Sequence, residues 1–429
     1  AEVSGAAGRL NDRQKQWAAR PLQERRERLL AWHAILDAAR DDWTTMLVRD
    51  VGKPLRDVQG EIGYALALLA HCCRSLEDFE QGEGRSIRYR PLGIVGIITP
   101  WNNPLAMPVS KLAPALAYGN CVVWKPALEG TAMARALKQS LEEAGLGDLV
   151  ELVTGGADAG RALVEAPGLA AIAFTGSVKV GREIATRCGR LMRPVQAELG
   201  GNNAAIVLVD ADLSLAAEEL AAAMFSFAGQ RCTAIRRVIV ERSAYAEFAE
   251  LLRKATQALK TGDPADPETQ VGPLISKARQ QELLALVERA ASEGAEILTG
   301  GSVPTDCSAD GCWMLPTIVA RLPEDSPILG TELFGPVVAL VEADDLDAAL
   351  AEHNRGEMGL LGALFSNDKE AQARFLAEAE AGMLLLNQAR PAFSPAGPFV
   401  GWKNSGYGIP EHGRWNRDFY TRTQAVYGE

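Results

Sequence analysis

The chain has 429 residues, 44 Lys and Arg against 55 Asp and Glu for a formal net charge of −11, and 47 % hydrophobic with 23 % charged residues. This is ordinary globular composition at a length that accommodates two or three domains. With no dense Lys/Arg block it speaks against nucleic acid as a partner. No apolar run is long enough to span a bilayer, which speaks against a membrane partner. The start, Ala1-Glu2-Val3-Ser4, lacks an initiator Met and the features of a signal peptide, so a preceding segment is expected to be missing.

Residues 8 to 80 read as helices, with apolar residues at helical spacing through Leu29, Leu30, Trp32, Ile35 and Leu36 and again through Leu66, Leu68 and Leu69. Cys72-Cys73 falls in this apolar run and reads as buried. A polar strand is expected at Ser86–Arg90. From Pro91 the texture changes to alternating elements. Strands are expected at Leu92–Ile98, Cys121–Trp124, Leu149–Val153, Ala171–Phe174 and Val195–Glu198. Helices are expected between them at Leu105–Ala117, Ala132–Glu143, Arg161–Glu165 and Val180–Cys188. This rhythm implies right-handed crossovers and a parallel sheet. Asp212 reads as the N-cap of a helix over Leu213–Phe227, with Gly229 beyond its end.

A second series follows, with strands at Arg237–Glu241, Ala295–Leu298, Val337–Val341, Gly362–Phe365 and Gly382–Leu386, and helices such as Ser243–Leu259 and Lys277–Glu293. The tail from Pro395 is rich in Gly, Pro and aromatics. Seven cysteines, an odd number without framework spacing, point to a reducing cytoplasmic setting. Cys307 and Cys312 flank Ser308-Ala309-Asp310-Gly311 and read as two free thiols rather than a pair. No metal site is expected, because neither cysteine pair has a second CxxC or a nearby His.

Three short segments carry the chemistry. Cys232 stands in Gly229-Gln230-Arg231-Cys232-Thr233, Glu198 opens Glu198-Leu199-Gly200-Gly201, and Asn102 closes Pro100-Trp101-Asn102. A thiol nucleophile, a carboxylate base and an amide donor suit acyl chemistry. His33, His71, His353 and His412 lie outside these segments, so the base is not expected to be imidazole. Each residue has a plainer reading: an inert buried thiol for Cys232, a salt-bridged surface carboxylate for Glu198, a turn residue for Asn102 before Asn103-Pro104. Gly176-Ser177-Val178-Lys179-Val180-Gly181 follows a strand and opens a helix. Small residues there let backbone approach a pyrophosphate at a helix N-terminus, although a plain strand-to-helix turn looks the same.

Taken together and in order, these segments with Lys125-Pro126, Phe174-Thr175-Gly176-Ser177, Glu332-Leu333-Phe334-Gly335-Pro336 and Gly401-Trp402-Lys403-Asn404-Ser405-Gly406 resemble the aldehyde dehydrogenase superfamily over nearly the whole chain. The resemblance implies an α/β fold with a Rossmann-like NAD(P)-binding domain (1–75 and 92–200), a second α/β catalytic domain (201–400) and a small β oligomerisation element (76–91 and 417–429). It implies oxidation of an aldehyde to the acid with NAD or NADP, through a thiohemiacetal and thioester on Cys232. Asn102 then steadies the adduct oxygen and Glu198 activates water. Cofactor contacts fall on Thr99, Pro100, Trp101, Lys125, Gly176, Ser177, Gly181, Leu199, Glu332 and Phe334, with core packing an equal reading of Phe334. Leu128 occupies the place where NAD-preferring members carry glutamate, which points to NADP use, while Glu129 beside it could restore the carboxylate.

For the substrate, Phe225 and Phe227 fall where relatives line the pocket, and core packing explains either equally well. Arg231, Arg390 and Ser394 could hold a carboxylate, and Arg231 could also lower the thiol pKa. The local motifs look most like the branches that oxidise acidic semialdehydes, such as glutamate or succinylglutamate semialdehyde. A homodimer or homotetramer is expected. The rival readings are a coenzyme-A-acylating dehydrogenase, against which Glu198 argues, and a silent member acting as a binding or structural protein. A cysteine protease is the third, against which the placement of the histidines argues.

Overall fold

The computed structural model describes residues 2–82, 85–308 and 310–428. Expectations that touch Ala1, Glu83, Gly84, Ala309 and Glu429 therefore lie outside the described residues. Four helices, Glu2–Ala18, Leu22–Ala38, Arg40–Val51 and Leu55–Arg74, open the chain. In the second, Leu29, Trp32 and Leu36 recur at helical spacing and are buried, with Trp32 Nε1 donating to Ser140 Oγ at 2.9 Å. Leu30 lies off that stripe and is exposed, which corrects its place in the expected core.

A six-stranded sheet follows. Its spatial order is Gly406–Tyr407, Val195–Glu198, Leu169–Thr175, Ile94–Thr99, Cys121–Pro126 and Val150–Leu152, parallel throughout except for the first. The strands are buried on both faces, as parallel strands covered by helices must be. Chain order reverses between Ile94–Thr99 and Leu169–Thr175, so a crevice opens beyond the carboxyl ends of these two strands.

A seven-stranded sheet is built from Glu296–Thr299, Thr317–Ala320, Val337–Ala343, Ile235–Glu241, Asn203–Val207, Leu361–Phe365 and Met383–Leu386 in that spatial order. Only its first pair is antiparallel. Two of its strands, Asn203–Val207 and Thr317–Ala320, are not foreseen from sequence. Asn203–Val207 lies near the middle of the sheet and is wholly buried. The third sheet is antiparallel and pairs Phe79–Gly82 with Arg85–Pro91 and that strand with Thr421–Tyr427. The expected helix Leu213–Phe227 ends at Phe225 and continues as a distorted turn, Ser226–Gly229. Asp212 caps it as expected, its side chain accepting from Leu215 N at 3.0 Å. All seven cysteines are free thiols, and no helix among the described residues is long and apolar enough to cross a membrane.

Candidate active site

Cys232 is presented by a strained turn. Phe227, Ala228 and Gly229 have φ of 51°, 52° and 68°, three left-handed residues in a row between a helix and the strand Ile235–Glu241. Asp57, from the helix Leu55–Arg74, holds the turn by accepting from Ser226 Oγ at 2.9 Å and Phe227 N at 3.1 Å. Arg236 Nη2 donates to the Arg231 carbonyl at 2.8 Å, and Asn203 Nδ2 donates to the Cys232 carbonyl at 2.7 Å. The nucleophile's backbone is thereby fixed on both sides.

Glu198 ends a strand of the six-stranded sheet and is buried within hydrogen-bonding reach of the Cys232 thiol. Burial drives its carboxyl well above the usual range, aided by Glu411 and opposed by Lys111. Burial also drives the Cys232 thiol upward, reinforced by Glu198 and opposed by Arg231. Arg231 thus acts in the expected direction but is outweighed. Glu198 Oε1 has no protein partner, as a carboxyl waiting for water would require. Asn102 donates Nδ2 to the Gln230 carbonyl at 3.0 Å, which fixes its amide next to the nucleophile turn.

Two cavities meet at Cys232. One, of about 430 Å³, is the crevice at the chain reversal. It brings together Thr99, Pro100, Trp101, Lys125, Gly176, Ser177, Leu199, Glu332 and Phe334, all the residues predicted for the cofactor except Gly181, with Asn102 and Glu198. Its build fits a dinucleotide. Ser177 caps the helix Val178–Arg190, leaving that helix's N-terminus facing the cavity, and the Thr175 hydroxyl is buried there without a partner. Gly181 does not line it. A Cβ at Gly181 would overlap Leu199, so its smallness serves helix-to-strand packing. Glu332 accepts from Gly201 N at 3.1 Å, and Phe334 stacks edge-on to Trp101 at 5.7 Å. Lys125 donates to the Pro126 carbonyl at 3.0 Å, and Leu128 is exposed.

The other cavity, of about 520 Å³, contains Tyr64, Phe227, Arg231, Arg390, Phe393 and Phe399 in its wall together with Lys53, Arg56 and Asp57. Phe227 lies where it was expected. Phe225 does not: it is wholly buried in the core under the seven-stranded sheet, because the helix ends there and the chain turns away. Ser394 is also outside this cavity, exposed and accepting from Ala396 N at 3.3 Å. Asp57 and Glu61 are spoken for. Glu61 accepts from Leu105 N and Ala106 N and pairs with Lys53. The wall carries Lys53, Arg56, Arg231 and Arg390 against Asp57 and Glu61, so it is net positive, although Arg390 also pairs with Glu219 at 3.3 Å. Sequence reasoning missed Lys53, in the loop before the helix Leu55–Arg74, and Arg56, Asp57 and Tyr64 on that helix, which reads only as amphipathic. It also missed Lys111 and Glu411, a buried ion pair behind Glu198. Charged residues inside otherwise apolar stretches were their only signal.

A model of the aldehyde dehydrogenase family matches residues 1–426. The α-ketoglutaric semialdehyde dehydrogenase of Bacillus subtilis is 32% identical over 437 residues, covering 99% of this chain and 90% of that protein. The phenylacetaldehyde dehydrogenase of Pseudomonas fluorescens is 40% identical over 339 residues, covering 78% and 67%. Among solved structures, a putative aldehyde dehydrogenase from Burkholderia cenocepacia superposes with a TM-score of 0.94 at 32% identity, covering 99% of this chain and 89% of that one.

Proposed function

The chain belongs to the aldehyde dehydrogenase family, and we propose that it performs that family's reaction, oxidation of an aldehyde to the carboxylic acid with NAD or NADP, through Cys232, Glu198 and Asn102. The observation that carries the assignment is the meeting of two cavities at one thiol beside a buried carboxyl with one oxygen unpartnered among the described residues. Cys232 adds to the carbonyl carbon, and its thiol proton leaves to solvent or to Glu198. The oxygen that gains charge is received by the Asn102 amide and the Cys232 backbone N–H, donors of a kind worth about 3–4 kcal/mol each. Lys125, Glu332 and the turn at Gly176-Ser177 would hold a dinucleotide in the crevice, and its nicotinamide would supply the acceptor for the hydride that the adduct must lose. Glu198, with its proton affinity raised by burial, then removes a proton from water attacking the thioester. The released acid restores the Cys232 thiol.

Residues 1–75 and 92–200 are read as the cofactor domain and 201–400 as the catalytic domain. The three-stranded sheet with Thr421–Tyr427 at its edge is read as the element through which a homodimer or tetramer forms. A monomer in sedimentation at micromolar concentration would contradict that. A cytoplasmic setting agrees with the free cysteines. Leu128 in place of a carboxylate removes repulsion of a 2′-phosphate, which supports NADP use. A strong NAD preference in kcat/KM would remove that idea.

For the substrate we read an aldehyde that carries a carboxylate. Arg56, Arg231 and Arg390 on the cavity wall support it, as does the named substrate of the Bacillus relative. An aromatic aldehyde is the second reading, favoured by Phe227, Phe393 and Phe399 on the same wall and by the Pseudomonas relative. A panel of acidic semialdehydes, hexanal, benzaldehyde and phenylacetaldehyde with both cofactors, followed by absorbance of the reduced nicotinamide, decides between them. Any of the uncharged aldehydes exceeding all the acidic ones rejects the first reading.

A further inference from the structure

Behind the substrate cavity stands a pair of residues that this chemistry does not use. Tyr64, from the helix Leu55–Arg74, lines the cavity that contains Cys232. Its hydroxyl is 3.2 Å from Nδ1 of His412. His412 is 2 % exposed and has φ 71° and ψ 172°, a backbone state that costs any residue with a Cβ. Its N–H donates to Asn416 Oδ1 at 3.0 Å, and its ring packs edge-on to Tyr64 at 5.9 Å and Phe399 at 5.7 Å. His412 Nε2 is buried without a partner. Packing alone does not account for this. Phenylalanine and glycine at these positions would avoid both the strain and the desolvation of two polar groups.

The hydrogen-bond inventory fixes the direction of the pair. Burial, helped by the Lys111 and His71 charges, pushes the imidazole down to about 3, so it holds one N–H at neutral pH. Placed on Nε2, that hydrogen would be a buried donor with no acceptor. Placed on Nδ1, it donates to the Tyr64 oxygen and leaves only a lone pair unmatched, the cheaper arrangement. The Tyr64 oxygen then accepts from His412, and its own hydrogen is free for the cavity. Burial holds the phenol well above its ordinary range, so that hydrogen stays in place.

We propose that Tyr64, oriented by His412, is a fixed hydrogen-bond donor in the substrate cavity that selects aldehydes bearing an oxygen substituent, a hydroxyl or keto group, on the carbon chain near the aldehyde. The proposal rests on reading this cavity as the aldehyde site but not on the substrate being an anion. Tyr64 is the specificity residue and His412 a positioning residue.

The test compares kcat and KM for propanal, 2-hydroxypropanal and 3-hydroxypropanal in the wild type, Tyr64→Phe and His412→Gly. The wild type is expected to favour one hydroxyaldehyde over propanal by roughly tenfold in kcat/KM, mostly through KM. Tyr64→Phe should lose that preference, its kcat/KM falling about tenfold further for the favoured hydroxyaldehyde than for propanal, and His412→Gly should reduce it. If Tyr64→Phe does not give folded protein by near-ultraviolet circular dichroism, His412→Gly decides alone. Three outcomes overturn the proposal: no preference, or no turnover, with either hydroxyaldehyde in the wild type; a preference unchanged in the variants; or an equal loss for all three aldehydes. Because all three are uncharged, such failure leaves the anionic-substrate reading to its own panel.

Discussion

Glu198, the proposed base, occupies a place that costs the fold. Its carboxyl is buried, has one oxygen without a partner, and is driven up by burial and by Glu411. A group whose folded pKa exceeds its unfolded value stabilises below the unfolded value and loses that contribution as pH rises. Glu198→Gln should therefore raise the melting temperature near pH 8, and the gain should vanish below about pH 4.5. The same variant should keep a burst of reduced cofactor, lose steady-state turnover, and alkylate faster with iodoacetamide, because a charge opposing the thiolate is gone. An unchanged steady-state rate would take Glu198 out of the role. Arg231→Leu should slow alkylation and raise KM for acidic aldehydes about tenfold or more, but not for hexanal. Equal losses on both aldehydes would assign Arg231 to packing. Cys232, Glu198 and Asn102 could be singled out in the sequence, and the structure brings them to one cavity, because the proposed chemistry dictates residue type within short motifs. His412 could not be, since its partner Tyr64 is 348 residues away and nothing local marks either. Of the two readings of Phe225, core packing is the one that holds; its distance from Cys232 suggested the pocket, but the side chain lies in the core under the seven-stranded sheet.

Among the elements, the turn from Ser226 to Gly229 does most to shape the site, and it depends on a residue from the other half of the chain. Asp57 satisfies both the Ser226 hydroxyl and the Phe227 N–H, groups that three left-handed residues leave facing inward. Asp57→Ala should cost about 1–3 kcal/mol in urea unfolding and lower kcat by an order of magnitude or more, because Cys232 three residues beyond the turn loses its register. A full loss of stability with kcat preserved would show that the turn holds itself. Five strands of the six-stranded sheet were legible as apolar runs between helices; Gly406–Tyr407, two residues long within the Gly- and Pro-rich tail, was not. Asn203–Val207 was not, because its Ala-Ala centre and the Gly200-Gly201 before it read as loop, and its partners on either side, Ile235–Glu241 and Leu361–Phe365, come later in the chain. Thr317–Ala320 is only four residues long, too short for periodicity to register.

At the scale of the whole molecule, the site exists only where the two large sheets face each other: Glu198 ends a strand of one and Cys232 precedes a strand of the other. The series of strands and helices predicted two such sheets but could not say which edges would meet. Each half also buries a histidine. His353 sits on the helix Leu346–Asn354 against the seven-stranded sheet, its pKa pushed by burial down to about 4. His412 lies beside the six-stranded sheet, pushed to about 3. A histidine depressed on folding stabilises the protein above its unfolded value of 6.5 and loses that contribution as pH falls toward the folded value. Glu198 and Glu332, both raised, tilt stability the opposite way over the same range. The absolute slope of stability with pH is thus a near-cancellation, whereas the difference between two variants is not. Between about pH 4.5 and 6, His412→Gly should show a slope smaller than the wild type by about 1.4 kcal/mol per pH unit, the worth of one proton bound only by the unfolded chain. Urea midpoints at several pH values would measure it. Parallel slopes in the two proteins would mean that His412 keeps its second proton in the folded state: Nδ1 would still donate to Tyr64, but the direction of that bond would no longer follow from a single ring N–H.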